Sequence, residues 1–234
     1  MEGMIQDAFG WIREQEISTA KELSRLITAF KLWGVENEFP TKLIQLKSKN
    51  NWDNSIRETA RACSSLASSN FDLEKYGQWL LSKRENNGSW ENNVYDTTYA
   101  LIALAEMGIP EMKGCKWLVE NYGEKWEHVG TTSLIITTLV KQEDLTKEKP
   151  FTDFIEERVK WILSERDEDG GWKFISTSNL VIQALAIVGL KEELDTSLKW
   201  LMSRQNSNGS WGKNDGNITA TALSLITLGY AHRQ

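Results

Sequence analysis

The sequence predicts an all-α ring of six helical hairpins, with inner helices in the middle and outer helices around them. Three observations carry that expectation. The first is self-similarity. Trp79-Leu80-Leu81-Ser82 leads to Asn87-Gly88-Ser89-Trp90, Trp161-Ile162-Leu163-Ser164 to Asp169-Gly170-Gly171-Trp172, and Trp200-Leu201-Met202-Ser203 to Asn208-Gly209-Ser210-Trp211, with the two tryptophans 11 positions apart each time. Such a recurring unit marks a repeat architecture. The second is alternation. Segments before each turn are amphipathic, whereas segments after it are apolar or small on every side. The third is number: weaker copies bring the hairpins to six, of about 39 residues each, across 234 residues.

The elements follow in order. The first hairpin pairs Phe9-Gly10-Trp11-Ile12 with a helix from Ser18-Thr19-Ala20, and it has no Gly-X-Trp turn. The second runs from Leu43-Ile44 through Asn50-Asn51-Trp52 into Ser55-Ile56-Arg57-Glu58-Thr59-Ala60. In the third, Trp90 precedes the apolar segment 96–105. The fourth passes from Cys115-Lys116-Trp117-Leu118 through Lys125-Trp126 to Thr131-Thr132-Ser133-Leu134. In the fifth, Phe151, Phe154, Ile155, Val159 and Ile162 form the dry face of an outer helix, with Glu156, Glu157, Arg158 and Lys160 outside, and segment 179–188 is the inner helix. In the sixth, Leu194, Leu198 and Leu201 repeat at helical spacing before the turn, and segment 218–226 follows it. Ser18, Ser55, Asp96 and Ser176 read as N-caps. Gly108, Gly189 and Gly229 read as left-handed helix ends. The three prolines, at 40, 110 and 150, fall between the expected helices.

An open stack would leave the inner row wet along one side. These inner segments carry no face suited to water, so the row is expected to close on itself as one domain spanning 1–234.

Bulk properties narrow the function. The net charge of −6 disfavours nucleic acid or an anionic membrane surface as the main partner. Two cysteines make no disulfide framework, which points to a reducing, cytoplasmic setting. Residues 1–7 have neither the basic flank nor the apolar run of a signal peptide. No segment reaches the length of a spanning helix.

The last turn reads Gln205, three residues, Gly209, one residue, Trp211. It resembles the QW motif of triterpene cyclases, whose relative occurs in the β subunits of protein prenyltransferases. The resemblance runs from about residue 39 to 232 and is strongest in three hairpins; in the other two clear copies Arg84 and Arg166 replace Gln205. It implies an α/α toroid around a central, often aromatic-lined hole. By themselves the tryptophans read as structural, large aromatics capping a hydrophobic helix end.

The catalytic motifs that the resemblance implies are altered here. Against the DxDD motif of class II terpene cyclases, the chain offers Asn93-Val94-Tyr95-Asp96-Thr97. Asp96 matches the last aspartate and is the candidate catalytic residue, while Tyr95 occupies the proton donor's place. A phenol near pKa 10 is too weak an acid to protonate an alkene. The prenyltransferase zinc set needs Asp-X-Cys and a distant His. Arg61 and Lys113 stand two before Cys63 and Cys115, and the histidines are His128 and His232. The Cys-Cys-His set of lanthipeptide cyclases and the Gly-Cys-Gly-Glu-Gln of thioester domains do not occur either. Glu165-Arg166-Asp167-Glu168-Asp169 is acidic but sits in a repeat turn. No metal and no cofactor is expected.

What remains is the hole. Polar side chains on otherwise apolar inner helices are the candidates for its lining. Arg57 and Arg61 share a face of the fourth helix and would suit a diphosphate or carboxylate. Tyr95, Tyr99, His128, Asn179 and Gln183 fall near the starts of inner helices, the end that opens to the cavity in the resembled family. The expected ligand is an isoprenoid, an isoprenoid diphosphate or another apolar small molecule, for a terpene-cyclase-like or prenyltransferase-like protein. Two alternatives stand beside it: a non-catalytic module gripping a peptide or partner subunit, and a β-like subunit whose active site another chain completes.

Overall fold

The computed structural model describes residues 1–69 and 71–233. Its helices are α1 (Glu2–Arg13), α2 (Ala20–Leu32), α3 (Phe39–Gln45), α4 (Ile56–Leu66), α5 (Glu74–Ser82), α6 (Val94–Glu106), α7 (Met112–Glu120), α8 (Val129–Thr146), α9 (Thr152–Ser164), α10 (Ile175–Ile187), α11 (Leu194–Ser203) and α12 (Ile218–Arg233), with a single 3₁₀ turn at Lys191–Glu193. Among the described residues there is no strand beyond one isolated bridge, Arg84 to Trp90. The chain is all-α.

The packing follows the alternation in the sequence. Each even-numbered helix packs on the next even-numbered one, and α12 packs on α2, so the succession returns to its start. The join is held by the Trp33 indole N–H, which donates to the Leu225 carbonyl at 2.8 Å. The odd-numbered helices pack on even neighbours and show solvent one polar face. In α9, Ile155, Val159 and Ile162 are buried, whereas Glu156, Glu157 and Lys160 are exposed. α6 instead buries eight of its residues, from Val94 to Leu104.

The turns are built alike. The Trp52, Trp90, Trp172 and Trp211 side chains are buried, and each indole N–H donates to a carbonyl of the preceding helix, on Leu43, Leu80, Ile162 and Leu201, at 2.7–2.8 Å. Each tryptophan's backbone N–H donates to a hydroxyl of the following helix, on Thr59, Thr97, Ser178 or Thr221. One residue thereby ties both arms of its hairpin with no polar atom left over. The Asn50-Asn51-Trp52 copy lacks the glycine yet forms the same bonds. The Lys125-Trp126 copy does not: Trp126 is half-buried against Trp117, with ring centres 5.1 Å apart.

The turn glycine joins one hairpin to the next. Gly88, Gly170 and Gly209 have φ of 100°, 97° and 87°. A Cβ at these positions would lie 2.6–2.7 Å from Lys113, Thr196 and Asp7, in the first turns of α7 and α11 and the second turn of α1. Both the backbone conformation and the close approach demand glycine. Arg84, Arg166 and Gln205 act at the same junction. Arg84 pairs with Glu111, Arg166 donates to the Glu193 carbonyl at 3.2 Å, and Gln205 donates to the Met4 carbonyl at 2.8 Å. The last hairpin therefore docks on the first as the third docks on the fourth.

Several expected helix ends differ. Thr19, not Ser18, caps α2, in a capping box with Glu22. Asn93, not Asp96, caps α6, accepting from the N–H groups of Tyr95 and Asp96. Ser176 lies inside α10. Pro40 lies in the first turn of α3, where no N–H is needed. Gly229 lies inside α12, where a side chain would meet Leu32 and Trp33. Ser55, Gly108 and Gly189 stand as expected.

Candidate functional site

A cavity of about 440 Å³ lies among the six even-numbered helices, each of which contributes to its lining. Its walls are mainly apolar, with Leu134, Leu180, Leu223 and Ile226 prominent. The lining residues come mostly from the middle and later turns of their helices. Tyr230, 37% exposed, and the Glu106–Lys141 ion pair line the cavity where it meets solvent. The volume falls within the range of about 300–1,000 Å³ usual for small-molecule sites.

A polar cluster interrupts the apolar wall. Arg25 of α2, Arg61 of α4 and Tyr99 of α6 all face the cavity. The Arg61 guanidinium lies over the Tyr99 ring, 4.4 Å from its centre. Arg61 is also paired with Glu58, one turn back on α4. Three buried polar atoms in this cluster have no hydrogen-bond partner: Arg25 Nη1, Arg61 Nε and Glu58 Oε2. Arg25 forms no ion pair among the described residues, and burial pulls its pKa below the ordinary guanidinium value. Burial pushes the Tyr99 phenol up, but the charges of Arg61 and Arg25 together outweigh it and hold the phenol below its ordinary value.

Of the residues expected from sequence, Arg61, Tyr99 and Gln183 line this cavity. Gln183 donates to Thr227 Oγ1 at 2.8 Å, so its amide is engaged within the wall. Arg57, Tyr95 and Asp96 do not line it. They form a separate cluster at the starts of α4 and α6. Arg57 donates from Nε and Nη2 to the two oxygens of Asp96, each at 2.8 Å, and this bidentate pair raises the Arg57 pKa. The same guanidinium lies 5.5 Å from the Tyr95 ring centre, and the Tyr95 hydroxyl bonds Thr131 at 3.0 Å. Thr97, beside Asp96, is taken up by the backbone of Trp90. The DxDD-like segment is thus engaged in an ion pair and a turn.

His128 and Asn179 also lie outside the lining. His128 is exposed at the start of α8. Asn179 is fully buried and donates to Ser224 at 3.1 Å, joining α10 to α12. Cys63 and Cys115 are free and buried, and burial pushes the Cys63 thiol up to about 12.

No family model matches the chain, and no curated protein matches it.

Sequence reasoning missed Arg25. The signal was there in principle: Ser24-Arg25 stands between Leu23 and Leu26 on a helix that also buries Ala20, Ile27, Ala29 and Phe30. A charge in that setting is an exception of the same kind as Arg61.

Proposed function

We propose that the chain is an α/α toroid whose central cavity binds an isoprenoid or another largely apolar small molecule. The observation that carries this reading is one mainly apolar cavity of about 440 Å³ to which all six even-numbered helices contribute. The closed succession of contacts from α2 through α12 back to α2 supports the toroid. The tryptophan and glycine turns, alike in bonding and in their docking on the next hairpin, support the resemblance to the QW repeat.

The reading is one of binding. Asp96, the carboxylate at the motif-like position, is held by Arg57 and lies off the cavity wall. Among the described residues no three His, Cys, Asp or Glu side chains converge as a metal ligand set. Among the polar groups that face the ligand space, Arg25, Arg61 and Tyr99 form a cluster that suits recognition of a head group.

The test is direct. The purified protein is incubated with prenyl diphosphates, prenyl alcohols and squalene, then examined by native mass spectrometry and product analysis. A complex of one ligand per chain is expected. An empty protein with every compound, and no product, would overturn the reading.

A further inference from the structure

The polar cluster in the cavity wall specifies the head of the ligand more closely than the apolar wall specifies its tail. Arg25 and Arg61 carry two positive charges, and Glu58 carries one negative charge beside them. Nearby ion pairs, Glu106–Lys141 and Arg57–Asp96, are each neutral. One positive charge is therefore uncompensated at the wall, and it belongs to Arg25. Arg25 shares a hydrogen bond with Tyr99 but has no ion-pair partner among the described residues; a buried cation without one is costly, and an unpaired donor adds to that cost. Arg25 Nη1 and Arg61 Nε are such donors, on two helices that meet at the cavity, with the Tyr99 hydroxyl beside them.

Resting on the cavity reading above, we propose that the ligand is an amphiphile with a single-charge carboxylate head, bound by Arg25 and Arg61 beside Tyr99, and a tail lying on Leu134, Leu180, Leu223 and Ile226. A carboxylate balances the one surplus charge. A diphosphate brings at least two negative charges to a site that already contains Glu58, so it would leave the cavity net negative. A neutral alcohol would leave Arg25 uncompensated. The planar guanidinium fork matches carboxylate geometry, which sets the head in one orientation.

Three probes with one tail separate the possibilities: farnesoate, farnesol and farnesyl diphosphate, titrated calorimetrically into the full-length protein. Farnesoate is expected to bind about tenfold or more tighter than either of the others, the range of one charge-assisted contact. Arg25→Met is expected to abolish the advantage of farnesoate over farnesol. Arg25→Lys keeps the charge without the fork and is expected to fall between. Farnesol or farnesyl diphosphate binding as tightly as farnesoate would overturn the carboxylate proposal and leave the cavity reading standing. So would an unchanged farnesoate affinity in a folded Arg25→Met protein. No binding of any of the three would overturn both.

Discussion

The tryptophan turns and the cavity wall are built from the same buried polar chemistry, yet they differ in completeness. At the turns, every tryptophan N–H of the four buried copies has its acceptor, at 2.7–3.0 Å, within the same hairpin. At the wall, Arg25, Arg61 and Glu58 each leave a buried polar atom unpaired. Proteins satisfy nearly all buried polar groups, and the four turns follow that rule, whereas the Arg25, Arg61 and Glu58 cluster, like Asn179, Ser197 and Trp200 elsewhere, leaves buried atoms unpaired. What sets the Arg25 and Arg61 pair apart from the other incompletely bonded groups is its place on the cavity wall.

The largest expected effect lies at the turns. Trp90→Ala removes a fully buried indole and strands the Leu80 carbonyl, so it is expected to cost about 3–5 kcal/mol by urea unfolding. A cost below about 1 kcal/mol would mean that the turn is not a structural clamp. Next comes Gly209→Ala. It forces a side chain to φ 87° and against the Asp7 backbone at 2.6 Å, for a loss of about 2 kcal/mol or more. The effect should be read in the docking of α1: amide exchange in residues 2–13 is expected to speed up more than exchange in α6. Exchange that rises evenly would count against a joint at this position.

Arg25→Met goes the other way. Replacing a desolvated cation that has no ion pair, only a hydrogen bond to Tyr99, by an apolar side chain is expected to raise the stability of the ligand-free protein by about 1 kcal/mol. A destabilised variant would show that the contact with Tyr99 outweighs the cost of burying the Arg25 charge. The smallest effect is at Cys63. Its thiol, pushed up to about 12, stays protonated in the fold, so maleimide labelling of Cys63 is expected to be as slow at pH 9 as at pH 7. It becomes fast only on denaturation. Rapid labelling of the native protein at pH 9 would contradict its burial.

The all-α character and the helical hairpins were legible in the sequence because their determinants are local and repeated. Trp79 to Trp90, Trp161 to Trp172 and Trp200 to Trp211 announce the hairpins, and the apolar segments after each turn announce which helices are buried. Even the role of position 205 was half visible. Arg84 and Arg166 replace Gln205 in name, yet all three reach the start of the next odd-numbered helix, because what the junction needs is a long donor. The site was less legible. Tyr95 and Tyr99 look equivalent in sequence, but they lie one turn apart on α6, and only the deeper one lines the cavity. The same turn separates Arg57, which is spent on Asp96, from Arg61, which faces the cavity. Arg25 was hidden because it belongs to the first hairpin, the copy with no tryptophan turn to set its register, and because the contact it makes with this cluster links residues far apart in the chain.

The most direct test of the central claim is to fill the cavity and ask whether binding goes with it. Ile226→Trp places a large ring on the wall of the cavity that Leu180, Leu223 and Arg25 also line, while leaving the turns untouched. The account predicts a folded, cooperatively unfolding protein in which calorimetric titration with farnesoate yields no heat of binding, where the unsubstituted chain saturates at one site. Farnesoate binding with undiminished affinity in that variant would contradict it, because the ligand would then sit somewhere other than among the six even-numbered helices.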